Sequence, residues 1–171
     1  MFKEINIKSL KNFNPILKIS KEWMLITAGN DKRCNTMTAS WGNLGYIWNK
    51  PAATIYIRQT RFTKEFVDNS DYFSLSFFNK SYKKDLGYLG THSGRDEDKI
   101  GKTKLTVEYF NDVPSFKEAS LILICKKLYS QDMKEECFHS KQCLEKNYSN
   151  DTLHTLYIGE IVHAYLSEEN L

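Results

Sequence analysis

Residues 22–41 read Glu22-Trp-Met-Leu-Ile-Thr-Ala-Gly29-Asn-Asp-Lys-Arg-Cys-Asn35-Thr-Met-Thr-Ala-Ser-Trp41, and this stretch sets the fold class. Glu22 to Gly29 is an apolar run ending in the polar turn cluster Gly29-Asn30-Asp31, and a second run follows from Asn35 to Trp41. Short apolar runs punctuated by Gly and Asn are strands joined by a tight loop. The pattern repeats outward. Ala52 to Arg58 (AATIYIR) follows Pro51 as a third strand, and Tyr72 to Phe78 (YFSLSFF) is a fourth, rich in aromatics. Leu105 to Phe110 and Thr155 to Leu166 are further strands, and Gly159 within the last marks a bulge or a close backbone approach.

Helices are short and inserted. Arg61 to Asn69 carries Phe62, Phe66 and Val67 at helical spacing with Thr60 as N-cap, and Ser81 to Leu89 repeats the stripe with Tyr82, Leu86 and Leu89. Ser115-Phe-Lys-Glu118 matches a capping box, so one helical turn is expected before the buried strand Leu121 to Cys125. Cys137 to Asn147 is expected as a polar helix. The whole is mainly β, a small antiparallel barrel with short helices, since closure removes exposed edges. At 171 residues it is read as a single domain, 1–171.

The 24 Lys+Arg against 21 Asp+Glu leave +3, with signs alternating as in Arg95-Asp96-Glu97-Asp98-Lys99. That argues against nucleic acid or an anionic membrane as the main partner. No secretory h-region and no membrane-length apolar run is present, so a cytoplasmic protein is expected. Four cysteines without a C-x-x-C pair fit reduced thiols, and Cys137, His139 and Cys143 lack the second ligand pair that structural zinc needs, so no metal is expected.

Three segments carry chemistry. Arg58-Gln59-Thr60-Arg61-Phe62-Thr63 joins a strand end to a helix start and gathers two guanidiniums and two hydroxyls, the groups that hold phosphate. Read alone, it serves equally as an anion site or as a capped helix with solvated arginines. Asn35-Thr36-Met37-Thr38-Ala39-Ser40-Trp41-Gly42 places small polar residues where a core strand carries Val or Leu, which admits a flat, polar-edged ligand or faces water as an edge. Gly90-Thr-His-Ser93-Gly94-Arg95-Asp-Glu-Asp-Lys99 is a glycine-bracketed loop that matches neither a P-loop nor a dinucleotide fingerprint.

Taken in order, N-T-M-T-A-S-W-G (35–42), W-N-K-P (48–51), R-Q-T-R-F-T (58–63), L-G-x-x-G-T-H-S-G-R-D-x-D-K (86–99) and Y-I-G-E-I (157–161) resemble the flavin reductase-like family of FMN-binding split barrels, over about Trp23 to Val162. The resemblance implies a six-stranded antiparallel Greek-key barrel and a homodimer with FMN near its interface. It implies FMN contacts from Asn35, Met37, Thr38, Ala39, Ser40 and Trp41 along the ring and ribityl chain. Arg58, Gln59, Thr60, Arg61 and Thr63 would hold the phosphate, and Ser93, Gly94, Arg95 and Lys99 would border the cofactor. His154 and Tyr157 also match family-like positions, while Trp41 and Trp48 are expected near the ring or the dimer seam. The chemistry is then carried by FMN, with no side-chain catalyst. NADH or NADPH is the expected donor in a flavin reductase, a redox protein in a flavoredoxin-like carrier, and a passive flavin-binding module is the third reading.

Overall fold

A computed structural model describes residues 1–11 and 13–168. Ten strands run in chain order: β1 Phe2–Ile5, β2 Met24–Gly29, β3 Cys34–Ala39, β4 Gly42–Ile47, β5 Lys50–Arg58, β6 Tyr72–Phe77, β7 Val107–Phe110, β8 Val113–Phe116, β9 Leu121–Asp132 and β10 His154–Ser167. The helices are α1 Pro15–Leu17, α2 Phe62–Asp68, α3 Lys83–Thr91 and α4 Lys141–Tyr148. The main sheet is antiparallel in the order β3-β2-β6-β9-β10-β5-β4, with β1 on β10, and β7 pairs with β8 as a separate hairpin. The path from β3 to β5 holds the six strands expected. β4 and β1 are additional, so the sheet has eight.

The continuous apolar runs arise because the central strands are buried on both faces. Along β2, Met24, Ile26 and Ala28 enter one core while Leu25 enters a second; along β9, Leu121, Leu123 and Cys125 enter the first and Ile122 and Ile124 the second. The second core is closed by Leu86 and Leu89 of α3 and by Val113 and Phe116 of β8. The same alternation explains β6. Phe73, Leu75 and Phe77 face the first core, while Ser74 Oγ donates to the Pro114 carbonyl at 2.6 Å and Ser76 Oγ meets Ser115 Oγ at 2.7 Å.

Those last contacts correct the expected helical turn at Ser115. Ser115 and Phe116 are buried against β6 and α3, and burial of an extended segment outweighs a local capping signal. The Glu118 carboxylate accepts instead from the Thr106 N–H at 2.8 Å. Thr60 is a second correction: the Arg61 N–H bonds the Arg58 carbonyl in an extra turn, so Arg61 takes the cap position of α2 and no side chain caps it. The polar helix expected from Cys137 begins later, at Lys141, where Ser140 accepts from the Cys143 N–H.

β10 organises the site. Its first half pairs with β5 (His154↔Arg58 to Glu160↔Ala52) and its last residues pair with β1, and the register slips at Ile158/Gly159 and Ile161/His163 as it changes neighbours. Both readings of Gly159 hold, because a Cβ there would lie 2.7 Å from Phe73 Cζ. No helix among the described residues is long and apolar enough to cross a membrane.

Candidate functional site

β3 begins the sheet path and bonds to β2 alone among the described strands, so its outer edge is free to line a cleft. Two adjoining hollows, about 150 and 160 Å³, run along that edge and share Met37, Arg58 and Arg61. Thr38, Ala39, Ser40, Trp41, Tyr56 and His154 line one end. Asn35, Thr60, Phe62, Thr63, Thr91, His92, Ser93, Gly94, Lys99 and Asp151 line the other.

The second end is cationic. Arg58 projects from the end of β5 and Arg61 from the turn before α2, where Arg61 Nη1 donates to the Gly90 carbonyl at 3.1 Å. Lys99 is 4% exposed, and its Nζ donates to the carbonyls of Leu89 (2.9 Å) and His92 (3.0 Å). Burial, reinforced by the Arg61 charge, pulls its pKa down to about 8, and no described carboxylate lies within ion-pair distance of it. A buried ammonium between neutral carbonyls and a guanidinium calls for an anion. Hydroxyls complete the donor set: Thr63 Oγ1 accepts from Asn35 Nδ2 at 2.8 Å and keeps its own proton to donate.

The wall opposite β3 is the loop after α3. Gly94 packs against β3 so closely that a Cβ would lie 2.3 Å from Asn35 Oδ1, and Thr38 Oγ1 donates to the Leu86 carbonyl at 2.5 Å. Tyr88, Glu97 and Lys102 brace the loop from outside, with the Tyr88 hydroxyl donating to Glu97 at 2.7 Å and Lys102 paired with the same carboxylate.

At the other end the cleft is polar-edged and aromatic. His154, 6% exposed, lies with its ring 5.0 Å from that of Trp41, and the Asn43 side-chain amide donates to the Tyr56 hydroxyl at 2.9 Å. Burial, with Arg58 adding to it, holds His154 neutral by lowering its pKa to about 4. A further hollow of about 300 Å³, lined by Pro15, Ile16, Ile19 and Ser20 with residues 40–44, meets this end at Ser40 and Trp41.

The cleft thus gathers thirteen of the fifteen residues singled out from sequence and leaves out two. Gln59 follows the last residue of β5 and turns away from the cleft, donating to Asp132 and to Thr155 Oγ1 at 2.9 Å on the β9–β10 side. Arg95 lies outside the loop, where it stacks over Phe62 at 4.7 Å, donates to the Thr60 carbonyl and pairs with Glu65. Trp48 is at the tip of the β4–β5 hairpin beside Tyr129, away from both hollows. Among the lining residues not singled out, Tyr56 was signalled by its alternation with Arg58 on β5. Asp151 carried no sequence signal, because it reaches the site through its 3.2 Å ion pair with Arg58.

The model of the flavin reductase like domain matches residues 17–171. No curated protein matches. Among solved structures, a flavoredoxin from Methanosarcina acetivorans is 24% identical with TM-score 0.68, covering 88% of this chain and 70% of its own. An FMN-binding protein from Thermus thermophilus, solved with 1-cyclohex-2-enone, is 21% identical with TM-score 0.68 over 95% and 82%. The Streptomyces globisporus C-1027 NADH:FAD oxidoreductase, solved with NAD and FAD fragments, is 15% identical with TM-score 0.64 over 85% and 74%. At these identities the structural likeness carries the fold.

Proposed function

The chain belongs to the flavin reductase like domain family, and from that premise we propose that its one domain, 1–171, binds FMN and passes electrons from NADH, NADPH or a reduced protein through it. The observation that carries this reading is the cationic end of the cleft. Two guanidiniums, a buried ammonium that makes no ion pair among the described residues and the Thr60, Thr63 and Ser93 hydroxyls face one hollow, the donor set for a phosphate dianion. The other end, with the small residues of β3 and the rings of Trp41, Tyr56 and His154, suits a flat heterocycle.

In this assignment Arg58 and Arg61 anchor the phosphate, Asn35 orients Thr63, and Lys99 adds charge from beneath. Met37 to Trp41 lie along the ring and ribityl chain, and neutral His154 offers a ring nitrogen to the heterocycle's edge. FMN, when bound, supplies the hydride and single-electron chemistry, so the protein has to hold the ring and leave a face open. The hollow beside Ser40 and Trp41 provides that opening. The protein is assigned as a cytoplasmic homodimer, with exposed Tyr46, Ile47, Trp48, Leu128 and Tyr129 available for the seam.

Purified protein tests the whole reading. It should be yellow with about one FMN per chain, elute at twice the chain mass by light scattering, and bleach when NADH or NADPH is added without oxygen. A colourless preparation that takes up no added FMN defeats the proposal. Bleaching only with a reduced protein donor makes it a flavoredoxin-like carrier, and no bleaching by either makes it a passive module.

Lys99 gives the site a pH signature. Its pKa in the free protein, about 8, lies below that of an ordinary lysine, and a bound phosphate dianion raises it again. Affinity for FMN therefore holds below pH 8 and falls by up to about tenfold per unit above it, the slope of one linked proton. Riboflavin, lacking phosphate, should show a flat profile over pH 7–9. A flat FMN profile, or one unchanged in Lys99→Met, contradicts the role given to Lys99.

A further inference from the structure

Tyr148, the last residue of α4, touches both ends of the cleft without lining it. Its ring lies under the Arg58 guanidinium, 5.2 Å away, and its hydroxyl is 2.9 Å from His154 Nδ1. The chain around it also grips Arg58. Arg58 donates to the Asn147 carbonyl at 3.2 Å and the Thr152 carbonyl at 2.8 Å and pairs with Asp151, while Phe138 packs edge-on against Tyr148 at 5.6 Å. We propose that Tyr148 is a positioning residue: its face holds the phosphate-directed Arg58, and its hydroxyl fixes His154 in the tautomer that presents Nε2–H to the cleft.

The tautomer follows from counting protons. The Tyr148 hydroxyl has one hydrogen and two acceptors near it, the Met133 thioether at 3.9 Å and His154 Nδ1 at 2.9 Å. Sulfur at that distance is a poor acceptor, so the proton goes to nitrogen. Nδ1 is then bare, and the hydrogen of the neutral ring resides on Nε2, which makes no hydrogen bond among the described residues while the ring lines the cleft. The titratable and charged groups around the ring are Arg58 and Tyr56 from β5, Arg61 from the turn before α2, Asp151 before β10 and Tyr148 itself; the Trp41 side brings no charge. Two arginines against one aspartate oppose protonation of the ring, and the Tyr148 pKa is raised by burial, so the hydroxyl remains a donor. The result is a neutral donor aimed at a ligand acceptor atom, a ring carbonyl oxygen or a reduced ring nitrogen. That last step rests on the cofactor assignment; the tautomer does not.

The test begins without flavin. Nitrogen-15 NMR of the imidazole in the flavin-free protein should show a bare Nδ1 and a protonated Nε2 at neutral pH. Tyr148→Phe keeps the ring under Arg58 but removes the proton donor, so both tautomers should appear. A protonated Nδ1 in the wild type, or a spectrum unchanged in Tyr148→Phe, overturns the tautomer assignment. The second arm compares FMN with riboflavin. Tyr148→Phe should keep the preference for FMN over riboflavin, whereas Tyr148→Leu, which also removes the face beneath the guanidinium, should cut it by about three- to tenfold. An unchanged preference in Tyr148→Leu overturns the Arg58 half. A wild type that binds neither flavin overturns the cofactor assignment and the Arg58 half with it, and the NMR result then decides the tautomer on its own.

Discussion

Arg61→Ala should weaken FMN binding by about one to two orders of magnitude, and Arg58→Ala with Arg61→Ala by about two to four, while riboflavin affinity of the Arg61→Ala variant stays near that of the wild type. Each guanidinium lost removes a charge-assisted contact worth roughly 1.5–3 kcal/mol, and each 1.4 kcal/mol is about tenfold in affinity. The two arginines differ in what else they hold. Arg61 is exposed and its side chain makes one hydrogen bond among the described residues, to the Gly90 carbonyl, so its removal should cost the flavin-free fold less than about 0.5 kcal/mol. The Arg58 side chain is only 18% exposed and holds the Asn147 and Thr152 carbonyls and Asp151, so its removal should lower thermal stability as well. Arg61 also depresses the Lys99 pKa, so in Arg61→Ala the pH above which FMN affinity declines should move upward from 8. Isothermal titration with both flavins separates the effects. Equal losses for FMN and riboflavin in Arg61→Ala would place that residue in the ring pocket or the scaffold and remove it from the phosphate site.

The residues that sequence reading placed correctly are those whose local pattern and tertiary surroundings agree. Met24 to Ile26 and Leu121 to Cys125 are apolar without a break because each strand faces two cores, and that is visible in one dimension. Where the surroundings supply the decisive contact, the pattern misleads. Ser115 and Glu118 have the spacing of a capping box, yet Ser115 is held by Ser76, a residue 39 positions away. β4 passes unread because Gly42, Asn43 and Gly45 are weak strand formers, and its hairpin with β5 turns at Trp48 and Asn49, both at positive φ, without the glycine that usually announces such a turn. At the site, the motif from Arg58 to Thr63 brings Arg58, Thr60, Arg61 and Thr63 to the cleft and leaves Gln59 outside it. Alternation sends Arg58 to the cleft and Gln59 to the β9–β10 side, and the extra turn at Arg61 brings that arginine inward where Thr60 was expected to cap. Tyr148 and Asp151 belong to a segment with no chemical motif, and they matter only through what Arg58 and His154 do when β5 and β10 pair.

Gly159→Ala should destabilise the protein by about 1–3 kcal/mol, the usual cost of overfilling a packed core, and Gly159→Val by more. The position permits no easy relief. A Cβ there would meet Phe73 Cζ at 2.7 Å, Phe73 Cε1 at 2.8 Å and Cys125 Cβ at 3.0 Å, and Phe73 and Cys125 are fully buried. Phe73 is held in register by its pairing with Cys125 of β9, and Gly159 lies at the register slip where β10 passes between Lys127 of β9 and Ala53 of β5, so neither backbone can retreat without breaking a ladder. For a chain of this size each kcal/mol moves the melting temperature by about 2–4 °C, which puts Gly159→Ala about 2–12 °C below the wild type. If the clash with the Phe73 ring is the cause, shortening that ring should relieve it. Phe73→Leu alone leaves a cavity and destabilises, but Gly159→Ala combined with Phe73→Leu should cost less than the sum of the two by about 1 kcal/mol or more, the coupling expected of residues in contact. Strict additivity in that cycle, measured by denaturant melts of the flavin-free protein, would mean that the strand relaxes at its bulge and that Phe73 does not enforce the glycine.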